Sequence, residues 1–327
     1  MPRLRASVAL CTFNGERFLE QQVLSLFAQE RAPDEIVAVD DASGDGTFSM
    51  LKSLAARSPV PMHVYRNDAT LGHVANFERA IALTRGEIIF LCDQDDVWDP
   101  EKIATCLIPM QSDAGAQLVH SDADLVDSDL RPLALTQFAA LGLSRHEREL
   151  EDAGHAFEVL LRRNIVTGAT AAIRRSVFEQ AAPFPREWIH DEWLAIVASL
   201  IGRMVRIDRP LIRYRQHGAN VIGAAPRGVA QKIDMLLAGR RDYQRHLLRR
   251  LTVLEERMRN LSPGPGSGAL LRVRQTRAHA AVRAGMHPAR WRRLPAVIHE
   301  IATLGYFRYA RGWNSVARDL LGPIDPC

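Results

Sequence analysis

The sequence predicts an α/β protein in which a mostly parallel β-sheet is covered by helices on both faces. Three observations predict this class. Over the first 110 residues, short apolar runs alternate with segments of helical periodicity. Turn-forming residues separate these segments. The 327 residues are 47% hydrophobic and 24% charged, which are ordinary values for a globular chain.

The elements of the first part follow in order along the chain. Leu4–Leu10 is a largely apolar run typical of a buried strand, and Glu16–Gln29 carries apolar residues at helical spacing. Asp99 followed by Pro100 predicts a helix start, because proline is tolerated at the first helical position. The remaining predicted elements are the strands Glu35–Val39, Met62–Tyr65 and Glu87–Leu91 and the helices Thr47–Arg57 and Val74–Leu83.

The middle of the chain is more mixed, and the last third changes character. The predicted elements of the middle are the strands Gln117–His120, Ala169–Ile173, Met204–Ile207 and Leu211–Tyr214 and the helices Ala156–Arg163 and Glu192–Leu200. Arginine-rich helices follow, of which Val229–Leu261 is the longest, and Pro263–Gly268 interrupts them. We therefore expect a first domain of residues 1–222 and a basic helical extension of residues 223–327.

The net charge of +4 conceals an asymmetry. Residues 223–327 contain 19 Arg and Lys against 7 Asp and Glu, whereas the rest of the chain contains 23 against 31. Such a basic extension fits a solvated helix face, an anionic membrane surface or nucleic acid. We expect no nucleic-acid partner, because the aromatic pattern of an RNA-binding module does not accompany the arginines.

The cysteines and the hydropathy pattern indicate the compartment. The four cysteines are too scattered for paired metal ligands or a disulfide framework, so a reducing compartment is expected. The longest apolar runs are too short for a membrane helix, and the N-terminus lacks a signal-peptide core. The sequence therefore predicts a soluble, cytoplasmic protein.

Acidic clusters follow two of the predicted strands. Asp40 and Asp41 follow the second strand, and Asp93, Asp95 and Asp96 follow the fourth. Parallel sheets bind ligands at the carboxyl ends of their strands. Crowded carboxylates repel one another, and Mg²⁺ or Mn²⁺ would relieve the repulsion and hold substrate phosphates. The alternative is an acidic loop whose aspartates cap helices.

Several well-known catalytic motifs are missing. The chain has no GxxxxGK[ST] phosphate loop and no GxGxxG after a strand. It also lacks the HExxH of zinc peptidases and the GxSxG of α/β hydrolases. Phosphates bound to this protein would thus need a metal ion rather than a glycine-rich loop.

Two later segments carry further candidates. Asp191 and Glu192 lie at the start of an apolar helix, where a carboxylate can act as a general base or simply cap the helix. Arg213–Asn220 follows the last predicted strand of the first domain. In this segment His217 can ligate a metal and the arginines can meet phosphate, although a polar turn is the alternative.

Five motifs occur in an order that resembles the inverting family 2 glycosyltransferases. The motifs are Ser7–Gly15, Asp40–Thr47, Asp93–Trp98, His190–Trp193 and Arg215–Asn220. The resemblance covers about residues 5–222, and the last two motifs look like the bacterial rhamnosyltransferase-like branch that builds surface polysaccharide. It implies the GT-A fold, a Rossmann-like sheet with helices on both faces.

The resemblance also implies a role for each matching residue. The positions that line the nucleotide base and ribose pocket are Thr12, Asn14, Asp41 and Asp93. Asp95, in the acidic DxD element, matches the metal ligand, and His217 matches the histidine that completes the metal site in some relatives. Asp191 matches the catalytic base. The implied reaction is a single displacement at the sugar C1, with Mg²⁺ or Mn²⁺ stabilising the departing diphosphate.

Two residues depart from the family pattern. Ala42 stands where many members have glycine, which alters the turn preference. His190 replaces the acidic residue commonly found before the base, which can reshape the acceptor side.

Two other functions stay open at this point. A sugar nucleotidyltransferase would share the acids but would normally carry a glycine-rich, lysine-bearing loop near the N-terminus. A non-catalytic sugar- or membrane-binding scaffold is disfavoured by the joint presence of Asp93, Asp95, Asp191 and His217. The expected partners are a nucleotide-diphosphate sugar, such as dTDP-rhamnose, and a saccharide or lipid-linked acceptor. The basic extension could hold the enzyme at an anionic inner membrane leaflet or mediate dimerisation.

Overall fold

The computed structural model describes residues 3–217 and 240–322, apart from residues 263, 265 and 288. These residues form two compact units, the first comprising residues 3–159 and 165–217 and the second residues 160–164 and 240–322. The predicted boundary between residues 222 and 223 lies outside the described residues. So do the beginning of the predicted helix Val229–Leu261 and the end of the last family motif.

One sheet forms the centre of the first unit. The strands of the described residues are β1 (Ala6–Thr12), β2 (Glu35–Asp40), β3 (Met62–Arg66), β4 (Ile88–Cys92), β5 (Val97–Trp98), β6 (Ala116–Val126), β7 (Pro132–Thr136), β8 (Ala171–Arg174) and β9 (Arg203–Arg215). They follow one another in the order β3-β2-β1-β4-β8-β6-β9-β5, and β7 pairs with β6.

The first half of the sheet is parallel. Strands β3, β2, β1 and β4 run in the same direction, as the alternation of strand and helix signals predicts. Every residue of β1, β2 and β4 is buried, which requires packing on both faces of the sheet. The second half is mixed, because β8 is antiparallel to both β4 and β6, whereas β6 and β9 are parallel.

Helices cover the sheet. Those of the first unit are α1 (Glu16–Phe27), α2 (Thr47–Ala56), α3 (His73–Leu83), α4 (Lys102–Ser112), α5 (Gln137–Leu141), α6 (Arg145–Asp152), α7 (Ala156–Leu160), α8 (Arg175–Ala181) and α9 (His190–Ile201). In α1, Leu19, Val23 and Leu26 are completely buried in the core that also contains Val8 and Leu10 of β1. Their spacing of four and three residues is the helical periodicity visible in the sequence.

Three predicted elements differ from the structure. The strands predicted at Met204–Ile207 and Leu211–Tyr214 belong to the single strand β9. The register between β6 and β9 shifts at Pro210, which has no N–H to donate to a strand ladder. The helix predicted to begin at Pro100 begins at Lys102 instead, and Oδ1 of Asp99 accepts the N–H of Glu101 at 3.0 Å.

The second unit is helical. Its described helices are α10 (Arg240–Met258), α11 (Ser267–Ala284), α12 (Leu294–Ala302), α13 (Gly305–Tyr309) and α14 (Trp313–Leu321). Met286, Val297, Tyr306 and Val316 form a buried apolar cluster. Among the described helices, none is long and apolar enough to cross a lipid bilayer.

Part of the positive charge of this unit is internal. Asp319 is completely buried, and its carboxylate accepts hydrogen bonds from Arg283 Nε at 2.7 Å and from the Tyr306 hydroxyl at 2.7 Å. Arg293 is also buried and donates to the carbonyl oxygen of His287 at 2.9 Å. The arginine content of the extension therefore overstates the charge that it presents to its surroundings.

Candidate active site

The carboxyl ends of β1, β2 and β4 meet at one edge of the sheet. Leu10 of β1 pairs with Cys92 of β4, and Thr12 pairs with Asp40 of β2. The loops that leave this edge are residues 13–15, 41–46 and 93–96. Every residue that the sequence assigns to the nucleotide pocket lies at this edge or on one of these loops.

Hydrogen bonds hold the three loops together. The side-chain amide of Gln94 accepts from the Phe13 N–H at 2.8 Å and donates to the Phe13 carbonyl oxygen at 3.0 Å. Oδ1 of Asn14 accepts from the Gly44 N–H at 2.8 Å, and the Asn14 N–H donates to Ser43 Oγ at 2.9 Å. Asn14 has φ +46°, a left-handed conformation that asparagine adopts more readily than most residues.

Thr12 and Asp41 are buried and make hydrogen bonds within the protein. Oγ1 of Thr12 donates to Asp40 Oδ1 at 3.2 Å. The Asp41 carboxylate accepts from the backbone N–H groups of Leu71 and Gly72 at 2.8 and 2.9 Å. Asp41 thereby fixes the loop that leads into α3. It shapes this second loop as well as its own.

The acidic run after β4 is crowded, and its last member is buried. Asp96 is 1% exposed, and its Oδ2 has no hydrogen-bond partner among the described residues. Burial, followed by the charges of Asp95 and Asp93, raises the pKa of Asp96 well above its usual value. Burial also raises the pKa of Asp93 to about 7, with the Asp95 charge as the next cause. A cation at this edge would offset the accumulated negative charge.

The structure brings the two predicted metal ligands together. Nε2 of His217 lies 2.8 Å from Oδ2 of Asp95. Arg215 fixes the end of β9 beside them, because its N–H donates to Asp96 Oδ1 at 3.0 Å and its Nε donates to the Asp95 carbonyl oxygen at 2.7 Å. The ring of Phe18 lies against both the His217 ring and the Arg215 guanidinium, at 4.9 and 4.4 Å.

The donor set at this position is suited to a divalent cation shared with a substrate. Among the described residues, no group of three or more His, Cys, Asp and Glu side chains could hold a metal by itself. Asp95 and His217 would supply two ligands, and phosphate oxygens and water would supply the rest, as is usual for Mg²⁺ bound with nucleotides. The unpartnered Oδ2 of Asp96 fits the same interpretation.

Asp191, the predicted base, is buried in the first turn of α9. Its Oδ2 accepts from the Gly168 N–H at 3.0 Å, and its Oδ1 accepts from the Glu192 N–H at 2.7 Å. Burial raises the pKa of Asp191 to about 7, and the Glu192 charge acts in the same direction. The Asp191 charge in turn contributes to the raised pKa of Asp93. The candidate base and the acidic run therefore lie within electrostatic range of each other.

His190, which departs from the family pattern, is packed among aromatic rings. It stacks on Phe77 of α3 with 3.9 Å between ring centroids and meets His73 edge-on at 4.9 Å. Neither ring nitrogen has a hydrogen-bond partner among the described residues. Burial, and then the charge of His73, lowers the pKa of His190 well below its usual value. A neutral aromatic residue thus joins α3 to α9 directly before Asp191.

The sequence analysis missed two titratable residues of this site. Lys102 is completely buried, its Nζ donates to the Ala169 carbonyl oxygen at 2.6 Å, and it lies 3.6 Å from the Trp98 ring centroid. Burial, and then the carboxylates of the acidic run, raises the pKa of Tyr214. The available signals were a lysine at the start of the helix after the acidic run and a tyrosine directly before Arg215.

Comparison with known proteins relates this arrangement to one family. The model described as Glycosyl transferase family 2 matches residues 7–181, which is more than half of the chain. An uncharacterized glycosyltransferase of Nostoc sp. is 27% identical over 222 residues, which cover 66% of each protein. The dTDP-rhamnosyl transferase RfbG of Shigella flexneri is 25% identical over 228 residues, which cover 66% of this chain and 74% of that protein. The chain thus spans about two thirds of the Nostoc relative.

A solved structure supports the fold. The crystal structure of S. aureus TarS 1-349 in complex with UDP-GlcNAc superposes with a TM-score of 0.54 and 16% identity. The match covers 96% of this chain and 90% of that one. The predicted fold class, a GT-A sheet with a helical C-terminal region, is confirmed.

Proposed function

This chain belongs to glycosyl transferase family 2, and we propose that it transfers a sugar from a nucleotide-diphosphate donor to a hydroxyl of a saccharide or lipid-linked acceptor. The observation that carries the proposal is geometric: the acidic run follows β4 at the shared edge of β1, β2 and β4, and His217 Nε2 lies 2.8 Å from Asp95 Oδ2 there. The Asp191 charge acts on Asp93 of the same run. A base for the acceptor hydroxyl and acids for the donor then share one site. A nucleotidyltransferase or a sugar-binding scaffold has no need for this combination.

Asp191 acts as the general base. The N–H groups of Gly168 and Glu192 orient its two oxygens, and each oxygen keeps a lone pair for the acceptor. Because its pKa is about 7, the carboxylate is available near neutral pH and can hold the proton afterwards. The acceptor oxygen bonds to the sugar C1 as the bond from C1 to the diphosphate oxygen breaks, and the hydroxyl proton passes to Asp191. The configuration at C1 is inverted.

The donor nucleotide binds at the shared edge of β1, β2 and β4. Thr12, Asn14 and Asp41 form the side that receives the base and ribose, and Asp93 lies towards the ribose. The support is their position at the carboxyl ends of parallel strands, where α/β sheets bind ligands. Asp41 acts in part through the loop that it fixes.

Asp95 and His217 would hold Mg²⁺ or Mn²⁺ together with the phosphate oxygens of the donor. When bound, the cation neutralises the negative charge of the departing diphosphate. The 2.8 Å contact between the two side chains supports this pairing, because the two atoms lie close enough to contact one ion. Arg215 keeps the Asp95 main chain in place through its 2.7 Å hydrogen bond.

The donor sugar is proposed to be rhamnose, and the pathway bacterial surface polysaccharide synthesis, such as that of lipopolysaccharide. The identity of 25% to a dTDP-rhamnosyl transferase supports this choice. A lipid-linked acceptor would bring the enzyme to the cytoplasmic face of the inner membrane as a peripheral protein.

A thermal-shift panel of UDP, dTDP, GDP and ADP, each with and without Mn²⁺, tests the donor site. A ligand at 100 times its dissociation constant stabilises a protein by about 2.7 kcal/mol. We expect a metal-dependent shift with one nucleotide that Asp95→Asn abolishes and the exposed control Asp129→Asn retains. The absence of any shift in the wild type would contradict the proposal.

The base is tested separately by sugar transfer with the nucleotide that the panel identifies. Asp191→Asn should lower kcat by about 10²–10⁴-fold, the usual contribution of proton transfer. The nucleotide shift should remain in this variant. Loss of the shift together with activity would assign Asp191 to binding or folding rather than to proton transfer.

A further inference from the structure

The tryptophans of the two units have opposite environments. Trp98, Trp188 and Trp193 of the first unit are between 0% and 5% exposed. Trp291 and Trp313 of the second unit are 68% and 66% exposed. Large aromatic rings that are exposed to this extent commonly mark a place where a protein meets another surface.

Trp291 belongs to an apolar face that the core of the second unit does not use. Leu294 and Ile298 follow it at intervals of three and four residues, so the three side chains share one side of the helical segment. Leu294 and Ile298 are 46% and 62% exposed. The opposite side of α12 is already packed, because Val297 lies in the buried cluster with Tyr306.

The charge around this face is of one sign. Arg290 and Arg292 flank Trp291 and are exposed, and Arg308 and Arg311 are exposed further along. Within the described part of residues 286–322, the two carboxylates, Glu300 and Asp319, are only 7% and 0% exposed.

Both of these carboxylates face inward. Glu300 Oε2 lies 2.5 Å from His279 Nδ1, and Asp319 accepts from Arg283 at 2.7 Å. Among the described residues of 286–322, the surface therefore combines indole, aliphatic and guanidinium groups without an exposed carboxylate.

We propose that Trp291, Leu294 and Ile298, together with Arg290 and Arg292, form a surface that docks onto an anionic lipid bilayer. The indole and aliphatic groups enter the interfacial region, and the guanidinium groups meet lipid phosphates. The inference rests on the proposed function only for its purpose, because a lipid-linked acceptor would be found at such a membrane. Nucleic acid fits this face less well, since leucine and isoleucine offer no ring for bases to stack on.

Co-sedimentation of the full chain with vesicles tests the proposal. Vesicles of phosphatidylcholine with phosphatidylglycerol should bind the protein, and vesicles of phosphatidylcholine alone should bind it at least tenfold more weakly. W291A/I298A should weaken binding to the anionic vesicles by about tenfold or more. R290Q/R292Q should weaken it by about 25-fold, about fivefold for each arginine, and reduce its salt dependence. The matched control is L271A, which removes an exposed leucine of α11, 56% exposed, from outside the surface.

Quenching by brominated lipid reports insertion directly. W291F should keep most of the vesicle binding, because phenylalanine is also apolar, but it should lose part of the tryptophan quenching. Unaltered quenching in W291F would overturn the assignment of Trp291 to the bilayer, even if the protein binds vesicles.

Three further outcomes would overturn the proposal. They are failure of the wild type to bind anionic vesicles, equal binding by W291A/I298A and the wild type, and a dimer that W291A/I298A dissociates, which would give the face to a second copy. The nucleotide-dependent thermal shift is measured in parallel on W291A/I298A. A retained shift with lost vesicle binding separates docking from the donor site, whereas an absent shift in a wild type that binds vesicles would count against the proposed function alone.

Discussion

Nε2 of His217 lies 2.8 Å from Oδ2 of Asp95, although 122 positions separate the two residues in the sequence. The contact joins the end of β9 to the acidic run after β4. Arg215 reinforces the junction with its hydrogen bond to the Asp95 carbonyl oxygen. A residue near the end of the described first unit therefore contacts the acidic run that follows β4.

His217→Ala is expected to weaken Mn²⁺ binding in the presence of the preferred nucleotide diphosphate by about tenfold or more. The reason is that one of the two proposed protein ligands is removed while Asp95 stays. Titration calorimetry with Mn²⁺ measures the effect, and His63→Ala on the exposed strand β3 is the matched control. Equal Mn²⁺ affinity in the wild type and His217→Ala would exclude the histidine as a ligand.

Glu192→Gln should move the acid limb of the pH–kcat profile to lower pH. The wild-type limb is expected near the Asp191 pKa of about 7, because the base must be ionised before attack. The Glu192 charge contributes to raising that pKa, so its removal makes the Asp191 carboxylate easier to form. The exposed Glu179→Gln serves as the control and should leave the profile in place. An acid limb that stays fixed in Glu192→Gln would mean that another group controls it.

Lys102→Met should alter the pH dependence of stability. Burial lowers the pKa of Lys102 from its usual 10.5 to about 8. Between these values the folded protein holds fewer protons than the unfolded chain, so the wild type gains stability as pH rises. Relative to Lys102→Met, the gain should be about 2 kcal/mol between about pH 7.5 and 9.5.

Urea unfolding at several pH values measures this gain. The slope depends only on the protons that Lys102 binds in the folded and unfolded states, so the pH-independent stability lost with the Ala169 and Trp98 contacts does not obscure it. The control is Lys52→Met. Because Lys52 is exposed, this variant should follow the wild-type pH dependence. Parallel curves for the wild type and Lys102→Met would contradict a lowered lysine pKa.

The parallel half of the fold was predictable because its signals are local. Strands β1, β2 and β4 are short apolar runs followed by turn residues, and their carboxyl ends must meet once the strands are parallel. The grouping of Asp41 and Asp93 at one edge follows directly from this rule.

The mixed half was less predictable because its pairings join distant segments. β9 reads as two strands, since Pro210 interrupts the apolar pattern, and only pairing with β6 makes it continuous. The sequence pattern did not predict the helices α5, α6 and α8. They are short, and packing rather than periodicity stabilises them.

In the site, residue types and spacing predicted the acidic residues but not the surroundings that shift their pKa values. Nothing local marks Lys102 as buried, and lysine is almost never fully buried unless it is paired. Two partners of Asp41 are equally hidden, because Leu71 and Gly72 contribute only their backbone N–H groups.

Ala42→Gly should stabilise the protein. Ala42 directly follows Asp41 in the loop after β2 and has φ +60°, in the left-handed region. For a residue with a Cβ this conformation costs about 1–2 kcal/mol, and the greater freedom of unfolded glycine offsets about 0.5–1 kcal/mol of the relief. The net gain should be about 0.5–1 kcal/mol, a rise in melting temperature of about 1–3 °C. Calorimetry with Ala42→Val as the opposing variant checks the reason, because a β-branched residue tolerates this region least and should lower the melting temperature. If both variants moved the melting temperature in the same direction, the backbone conformation at residue 42 would not be the cause.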